Sequence, residues 1–550
     1  MDDAVTIAGR ALALLCAAAA LIVAGCSKVG SGAPVKPGSA IPGVVRIVGI
    51  GSIDSLIPQL SGNASASDMA VFWGAWLFRT DARGDLVPEL ATDVPTLTNG
   101  GISRDGLTIT YHLRKGVLWH DGVPFTSADV VFSWHAMMNP DNDVLTRSGF
   151  DDIASMTAPD PLTVVVRLKR PYAPAISTFF GPDLAPAVIL PAHLLAKLPD
   201  INRAYFDTHP IGTGPFIFDH YVPGAAIVLR ANPRYFRGAP KLKEIDFLII
   251  PDPNTRELMI RSGETDIYYE PADSQVSDLK TIPGVHVLDV PFNEFWYLDF
   301  NSRHVPLDDV RVRRAIAMGV DRSLVIRSIA AGFGEPADGD QPRTSWAFDP
   351  DAHAPPFDPQ RAGALLDAAG WHLRPDGFRY KNGTKLALEY VTSSGYREAT
   401  RFGPIFQGEM KRIGVDAQMK LYPTSLLYAA KADGGIVESG RFDVAWLGWI
   451  GGIDPDDATI WECGQTPPNG YNFSYLCDPR IDTEEAVALS SYDERVRSAA
   501  YRRIQELLDE DVPVDFLFWT RNHDAVRDGV EGYHPAPAVT NFTEPWAWSD

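Results

Sequence analysis

The chain has 550 residues, 45% hydrophobic and 22% charged, with a formal net charge of −21 at pH 7. A single core stops growing at about 250–300 residues, so at least two lobes are expected. A polyanion with no Lys/Arg block is repelled by nucleic acid and by anionic lipid surfaces, so nucleic-acid binding is excluded.

Residues 11–24 (ALALLCAAAALIVA) form an unbroken apolar run. It is too short to span a bilayer as a helix and suits the h-region of a signal peptide. The following Val23-Ala24-Gly25-Cys26 resembles a bacterial lipobox. That resemblance makes residues 1–25 a lipoprotein signal and Cys26 a lipidated N-terminus, with the rest of the chain working outside the cytoplasm, moored to a membrane. Residues 26–43 are then a flexible tether, since 27–43 (SKVGSGAPVKPGSAIPG) offer almost nothing to bury. As coil that stretch has an r.m.s. span of roughly 23 Å. No later apolar run approaches 18 residues, so no second membrane segment is expected.

From Val44 onward, strand and helix patterns alternate. Segments rich in β-branched and aromatic residues predict strands over 44–50, 107–113, 162–168, 225–230, 244–250, 387–392 and 443–448. Apolar spacing of 3.6 residues predicts a helix over 309–319, with Val312, Ala315 and Ile316 on one face and Arg313 and Arg314 pointing away. It predicts another over 494–510, with Val496, Ala500, Ile504, Leu507 and Leu508 inward and Asp493 as N-cap. Such alternation argues for α/β lobes. No internal repeat is visible, and no clean linker follows residue 43.

Cysteine use fits the same compartment. Cys16 leaves with the signal and Cys26 is acylated, which leaves Cys463 and Cys477. In an oxidising environment these read as a disulfide closing a Pro/Gly/Asn-rich loop. The loop closure contributes roughly 3 kcal/mol in the chain-entropy model. A metal reading lacks CxxC spacing and a nearby His.

Residues 85–138 carry the most recognisable pattern: Leu86-Val87-Pro88-Glu89-Leu90-Ala91, Asp105-Gly106 before a strand, then Trp119-His120-Asp121-Gly122 and a helix with Ser127 as its cap. Further blocks follow in order. They are Gly212-Thr213-Gly214-Pro215-Phe216 with Asn232-Pro233-Arg234-Tyr235-Phe236, then Gly263-Glu264-Thr265-Asp266-Ile267, then Phe300-Asn301 with Asp309-Val310-Arg311-Val312-Arg313-Arg314-Ala315. Asn469-Gly470-Tyr471-Asn472 and Asp511-Val512-Pro513-Val514 close the series. Each block is weak alone. Together, covering nearly all of residues 44–520, they resemble the extracellular solute-binding proteins of the peptide/nickel type, the receptors of ABC importers.

The resemblance implies a two-lobed α/β clamp of the periplasmic-binding-protein kind with an additional small domain. Residues 44–82, 205–297 and 520–550 would form lobe I, 83–204 the inserted domain and 298–519 lobe II. Hinge strands would run near Trp296–Asn301 and Val514–Trp519. It also implies a monomer, permease and ATPase subunits as partners, no cofactor, and no catalysed reaction.

Ligand chemistry departs from the family pattern. Peptide-binding members use W-x-x-D, in which a carboxylate holds the ligand α-ammonium as a buried charge pair. Here the stretch reads Trp449-Ile450-Gly451-Gly452-Ile453-Asp454-Pro455, so Gly452 stands where the aspartate belongs. Either Asp454 swings in to replace it, or the ligand is not a peptide with a free N-terminus. The second reading is the expectation. Trp449 is a pocket-wall candidate. Other ligand-binding candidates are Trp73 and Trp76, the loop from Ser52 to Ser55 including Asp54, Trp296 and Tyr297 with Asn301 at the hinge, and Tyr396, Arg397 and Arg401 opening the helix 396–413. An arginine there would pair a carboxylate or phosphate. Core packing competes with the ligand reading for each tryptophan, and a solvated helix face for each arginine.

Catalytic patterns are absent: HExxH, GxSxG and the P-loop do not occur, and Gly49-Ile50-Gly51 fails as GxGxxG because its last position is Asp54. His112, His120 and His135 form a metal set only by count, though a metal carried in a small chelator stays open. A ligand-sensing or chaperone lipoprotein is the alternative reading, and a secreted hydrolase the remote one.

Overall fold

Two sets of parallel strands, bridged by two long antiparallel ones, make a single eleven-stranded sheet in the computed structural model. The structure describes residues 41–49, 53–61, 64–181, 187–536 and 542–550. The signal segment, Cys26, the tether to residue 40 and Ser52 lie outside the described residues.

In the first set, Val44–Val48 pairs in parallel with Glu244–Leu248 and Ile267–Tyr269. In the second, Ala387–Ser393 pairs in parallel with Asp416–Tyr422 and Val444–Ile450. Val44–Val48 and the start of Val444–Ile450 are buried at successive positions, as strands covered on both faces are, whereas Glu244–Leu248 alternates between buried and half-buried residues. The bridge is Val285–Phe300 against Val514–Arg527. Their register breaks between Pro291 and Phe295, and Val444–Ile450 joins the first of them from Glu294 onward. A register break leaves backbone unpaired and bends the strand locally, and the two sets meet there.

The cores follow this division. Val45, Ile47, Phe72 and Trp73 pack with Phe216, Phe247, Val526, Phe542 and Trp548. A second core runs from Ala75 to Ile189 around the antiparallel strands Thr108–His112, Thr163–Leu168 and Ile153–Asp160. Two more fill the segment from Phe295 to Trp519. Ala75, Leu77 and Phe78 pack in the second core, while Val188, Leu190, Leu195 and Ile201 return to the first. The glycines of Gly212-Thr213-Gly214 are dictated by close approach. A Cβ on Gly212 would lie 1.7 Å from the Trp73 carbonyl oxygen, and one on Gly214 would lie 2.6 Å from that of Phe72.

Three local expectations are corrected. The helix Ser127–Met138 is N-capped by Thr126, whose N–H donates to Asp129 Oδ2 at 2.9 Å; Ser127 is its first residue and donates instead to the Asp160 carbonyl. Val496 on Glu494–Asp511 is 43% exposed, although Ala500, Ile504, Leu507 and Leu508 are buried and Asp493 does cap the helix through Arg495 N–H. Arg313 does not point away. It is buried, donating to the carbonyls of Leu307 and Val512. A guanidinium at the C-terminal end of Glu494–Asp511 satisfies carbonyls that the helix itself leaves open.

Candidate functional site

The loop that follows the strand Val444–Ile450 is the wall of three cavities, of about 390, 270 and 150 Å³. Gly452 and Asp454 recur in their linings. The strand delivers Trp449 to the largest cavity, whose volume lies in the range of small-molecule sites. The loop is held from the register break: Asn293 Nδ2 donates to the Gly452 carbonyl at 2.7 Å, and Gly451 N–H donates to the Asn293 carbonyl.

The 390 Å³ cavity lies between two parts of the chain. Thr146, Ser148, Tyr172 and Thr178 approach from the segment of the second core, and Trp449, Asp456, Thr459 and Tyr471 from the opposite side. The rings of Trp449 and Tyr471 lie 5.6 Å apart, tilted by 55°. Tyr471 belongs to the loop closed by the Cys463–Cys477 disulfide, Cα–Cα 4.5 Å. Tyr172 Oη donates to Asp456 Oδ2 at 3.2 Å, joining the two sides, and Ala458 N–H donates to Asp456 Oδ1. Desolvation, followed by the neighbouring Asp454 carboxylate, pushes the Asp456 carboxyl up to about 7.

Asp454 is otherwise engaged. Arg497 Nη1 and Nη2 reach its two oxygens at 2.8 and 2.5 Å, with side-chain exposures of only 9% for the arginine and 12% for the aspartate. Arg497 also stacks over Trp346 and donates to the Ala488 carbonyl. A bidentate pair so enclosed does not release its carboxylate to a ligand amine without leaving a buried guanidinium unpaired.

The remaining sequence candidates are dispersed. Trp73 is fully buried against Phe206, and Trp76 is buried with its backbone N–H donating to Glu89 Oε2. Tyr297 packs on Phe295 and is buried. Asn301 is also buried, donating to the carbonyls of Gly440 and Phe442. These four are core residues, because each is consumed by packing or backbone satisfaction. Arg401 donates to the Ser328 carbonyl, away from the three cavities. Trp296 is half-buried, lying 5.6 Å from Trp446 and edge-on to the exposed Tyr396. Arg397 is exposed. Neither these three nor Asp54, which closes its own loop through Ser55 N–H and Ser61 Oγ, lines the three cavities.

His120 is structural: Nδ1 accepts from Gly212 N–H, Nε2 donates to the Gly214 carbonyl, and burial lowers its pKa to about 4. Among the described residues no group of three or more His, Cys, Asp or Glu is arranged to hold a metal, and no helix is long and apolar enough to cross a membrane. Sequence reasoning missed Tyr172, Asp456, Tyr471 and Arg497. Only Tyr471 carried a signal, as part of the Asn469–Asn472 block within the disulfide loop.

Comparison with known proteins places this geometry. Residues 85–471 match the model of bacterial extracellular solute-binding proteins, family 5. The chain is 27% identical over 531 residues to the oligopeptide-binding protein AppA of Bacillus subtilis, covering 94% of this chain and 93% of the relative. It is 30% identical over 481 residues to di/tripeptide-binding protein 2 of Pseudomonas aeruginosa, covering 83% and 87%. The solved structure of NikZ from Campylobacter jejuni in complex with Ni(L-His) superposes with a TM-score of 0.78 at 25% identity, covering 93% of this chain and all of that one. The fold is the two-lobed α/β clamp of these binding proteins, whose members bind solutes and are not enzymes. The chain belongs to the bacterial extracellular solute-binding proteins of family 5.

Proposed function

We propose that this protein is the substrate-binding lipoprotein of an ABC importer, tethered through Cys26, and that its solute is peptide-sized but lacks a free peptide α-amino terminus. The lobes would be those expected from the sequence, with the Ala75–Phe78 and Val188–Ile201 borders adjusted to their cores. Ligand would stabilise the closed clamp by bridging both sides, because a ligand shifts a conformational equilibrium only through contacts that differ between states. The solute would then pass to a permease whose partner subunit hydrolyses ATP.

One observation carries the ligand reading: Asp454, the aspartate nearest to Gly452, where the resemblance expects the amine-binding carboxylate, is held by Arg497 in a buried two-point pair. The test is mass spectrometry of the purified full chain, first native and then denatured, to release and identify what co-purifies. A single non-peptide or N-blocked mass is the expected result. A heterogeneous set of free-amine peptides overturns it and restores a general oligopeptide receptor.

A further inference from the structure

We propose that the 390 Å³ cavity is a subsite for an organic cation, an alkylammonium head group held by Asp456 and the rings of Trp449, Tyr471 and Tyr172. This rests on the solute-binding reading and names the chemistry of the solute's head group.

The argument is one of charge and of faces. The charged residues lining the cavity are Asp454 and Asp456, and no Lys, Arg or His lines it among the described residues. Asp454 is neutralised from behind by Arg497, so its contribution to the cavity is small. Among the described residues Asp456 has no cationic partner of that kind. Its hydrogen-bond donors are the neutral Tyr172 hydroxyl and Ala458 N–H, one on each oxygen, and each oxygen keeps a further lone pair. A half-buried carboxylate with only neutral donors either binds a proton or a cation, since isolated burial of its charge is costly. Its raised pKa is the protonated alternative to the second outcome.

The walls fit the same ligand. Trp449 and Tyr471 present tilted rings 5.6 Å apart, and Tyr172 faces them from the other side of the cleft. A cation beside aromatic faces gains from their quadrupoles, most where water is excluded. Thr146, Ser148, Thr178 and Thr459 add neutral hydroxyls. An anionic head group would meet the Asp456 carboxyl and no cationic side chain in the lining among the described residues. The site differs in position from an amine anchor at residue 452: Asp456 lies four residues further on, past the turn locked by the Asp454–Arg497 pair.

Calorimetry and saturation-transfer NMR on the full-length protein would use choline, butylammonium and 3,3-dimethyl-1-butanol, the last being the uncharged isostere of choline. Binding of at least one cation is expected, with the isostere at least tenfold weaker. Asp456→Asn and, separately, Trp449→Leu are each expected to weaken the cation at least tenfold while leaving binding of the isostere within threefold. Thermal melting of each variant without ligand separates lost binding from lost folding. The proposal is overturned if the isostere binds as well as the cations, if no cation binds, or if folded Asp456→Asn retains full affinity. Failure of the underlying reading looks different: free-amine peptides would then bind tightly whatever the outcome with head-group cations.

Discussion

Asp454 and Arg497 form a two-point ion pair across the cleft wall, with oxygen–nitrogen distances of 2.8 and 2.5 Å and both side chains nearly closed off from solvent. The pair closes the helix Glu494–Asp511 onto the loop after Val444–Ile450, and on its two sides lie the 270 and 390 Å³ cavities. Its chemical consequence is that an aspartate placed near the expected amine anchor is not available to act as one.

Replacing Arg497 by Met keeps an apolar side chain of similar reach and removes the charge partner, whose guanidinium lies over Trp346. An uncompensated buried carboxylate costs about 3–5 kcal/mol. Urea denaturation of Arg497→Met should show a loss of that size at pH 8. A loss under 1 kcal/mol would mean that the pair is solvated in solution.

Gly452→Asp tests the amine position directly. A carboxylate restored there should raise affinity for dipeptides and tripeptides with free N-termini by roughly 10²-fold or more, the inverse of the 3–5 kcal/mol lost with one partner of a buried pair. N-acetylated versions of the same peptides should gain nothing. Equal gains for both would show that residue 452 does not meet the ligand amine.

The disulfide has a functional side. Cys463 and Cys477 close a 14-residue separation around Tyr471, a wall of the 390 Å³ cavity. Removing the link as Cys463→Ser with Cys477→Ser should lower stability by roughly 3 kcal/mol in the chain-entropy account. Because the freed loop must be re-ordered around any ligand, affinity for the co-purifying solute should fall as well. Reduction of the unmodified protein with dithiothreitol should reproduce both effects, measured by denaturation and calorimetry.

Lipidation is checked at one atom. Cys26→Ser should abolish labelling by radioactive palmitate and move the protein from the membrane to the soluble fraction of expressing cells. Retention of the variant in the membrane fraction would remove the tether from the account.

Much of the framework was legible before the structure. Strand positions 44–50 and 443–448 stand out because two-sided burial selects apolar runs, and 244–250 because it alternates, and the structure has strands at Val44–Val48, Val444–Ile450 and Glu244–Leu248. Periodicity failed where burial was polar. Arg313 reads as a surface residue by composition, yet its guanidinium is buried to satisfy carbonyls from a helix nearly 200 positions away in sequence. The site was hardest for the same reason. Nothing local to Asp456 announces that Tyr172 will cross the cleft to it, or that Arg497 will silence its neighbour, because both contacts are products of long-range topology. Tryptophans were ambiguous in the other direction: Trp73 and Trp449 look alike in sequence, and only packing separates a core ring from a cavity wall.

Buried acidic groups also set the pH response of stability. Asp515, on the bridge strand Val514–Arg527, is fully buried, and neither of its oxygens has a hydrogen bond among the described residues. Desolvation pushes its carboxyl up to about 7, with the Arg322 charge opposing and Glu409 adding to the rise. The folded state thus holds a proton that the unfolded chain releases near 3.8. Where the unfolded state binds fewer protons, stability falls with rising pH. The contribution is fully present below about pH 4 and is lost as pH climbs through 7; at about 1.36 kcal/mol per unit it amounts to on the order of 4 kcal/mol. Asp515→Asn, an uncharged stand-in for the protonated acid, should match the parent near pH 4 and exceed it by a few kcal/mol at pH 8. Urea titrations at pH 4.5, 6 and 8 read the difference, and parallel pH slopes for the two proteins would show that Asp515 is not held protonated in the fold.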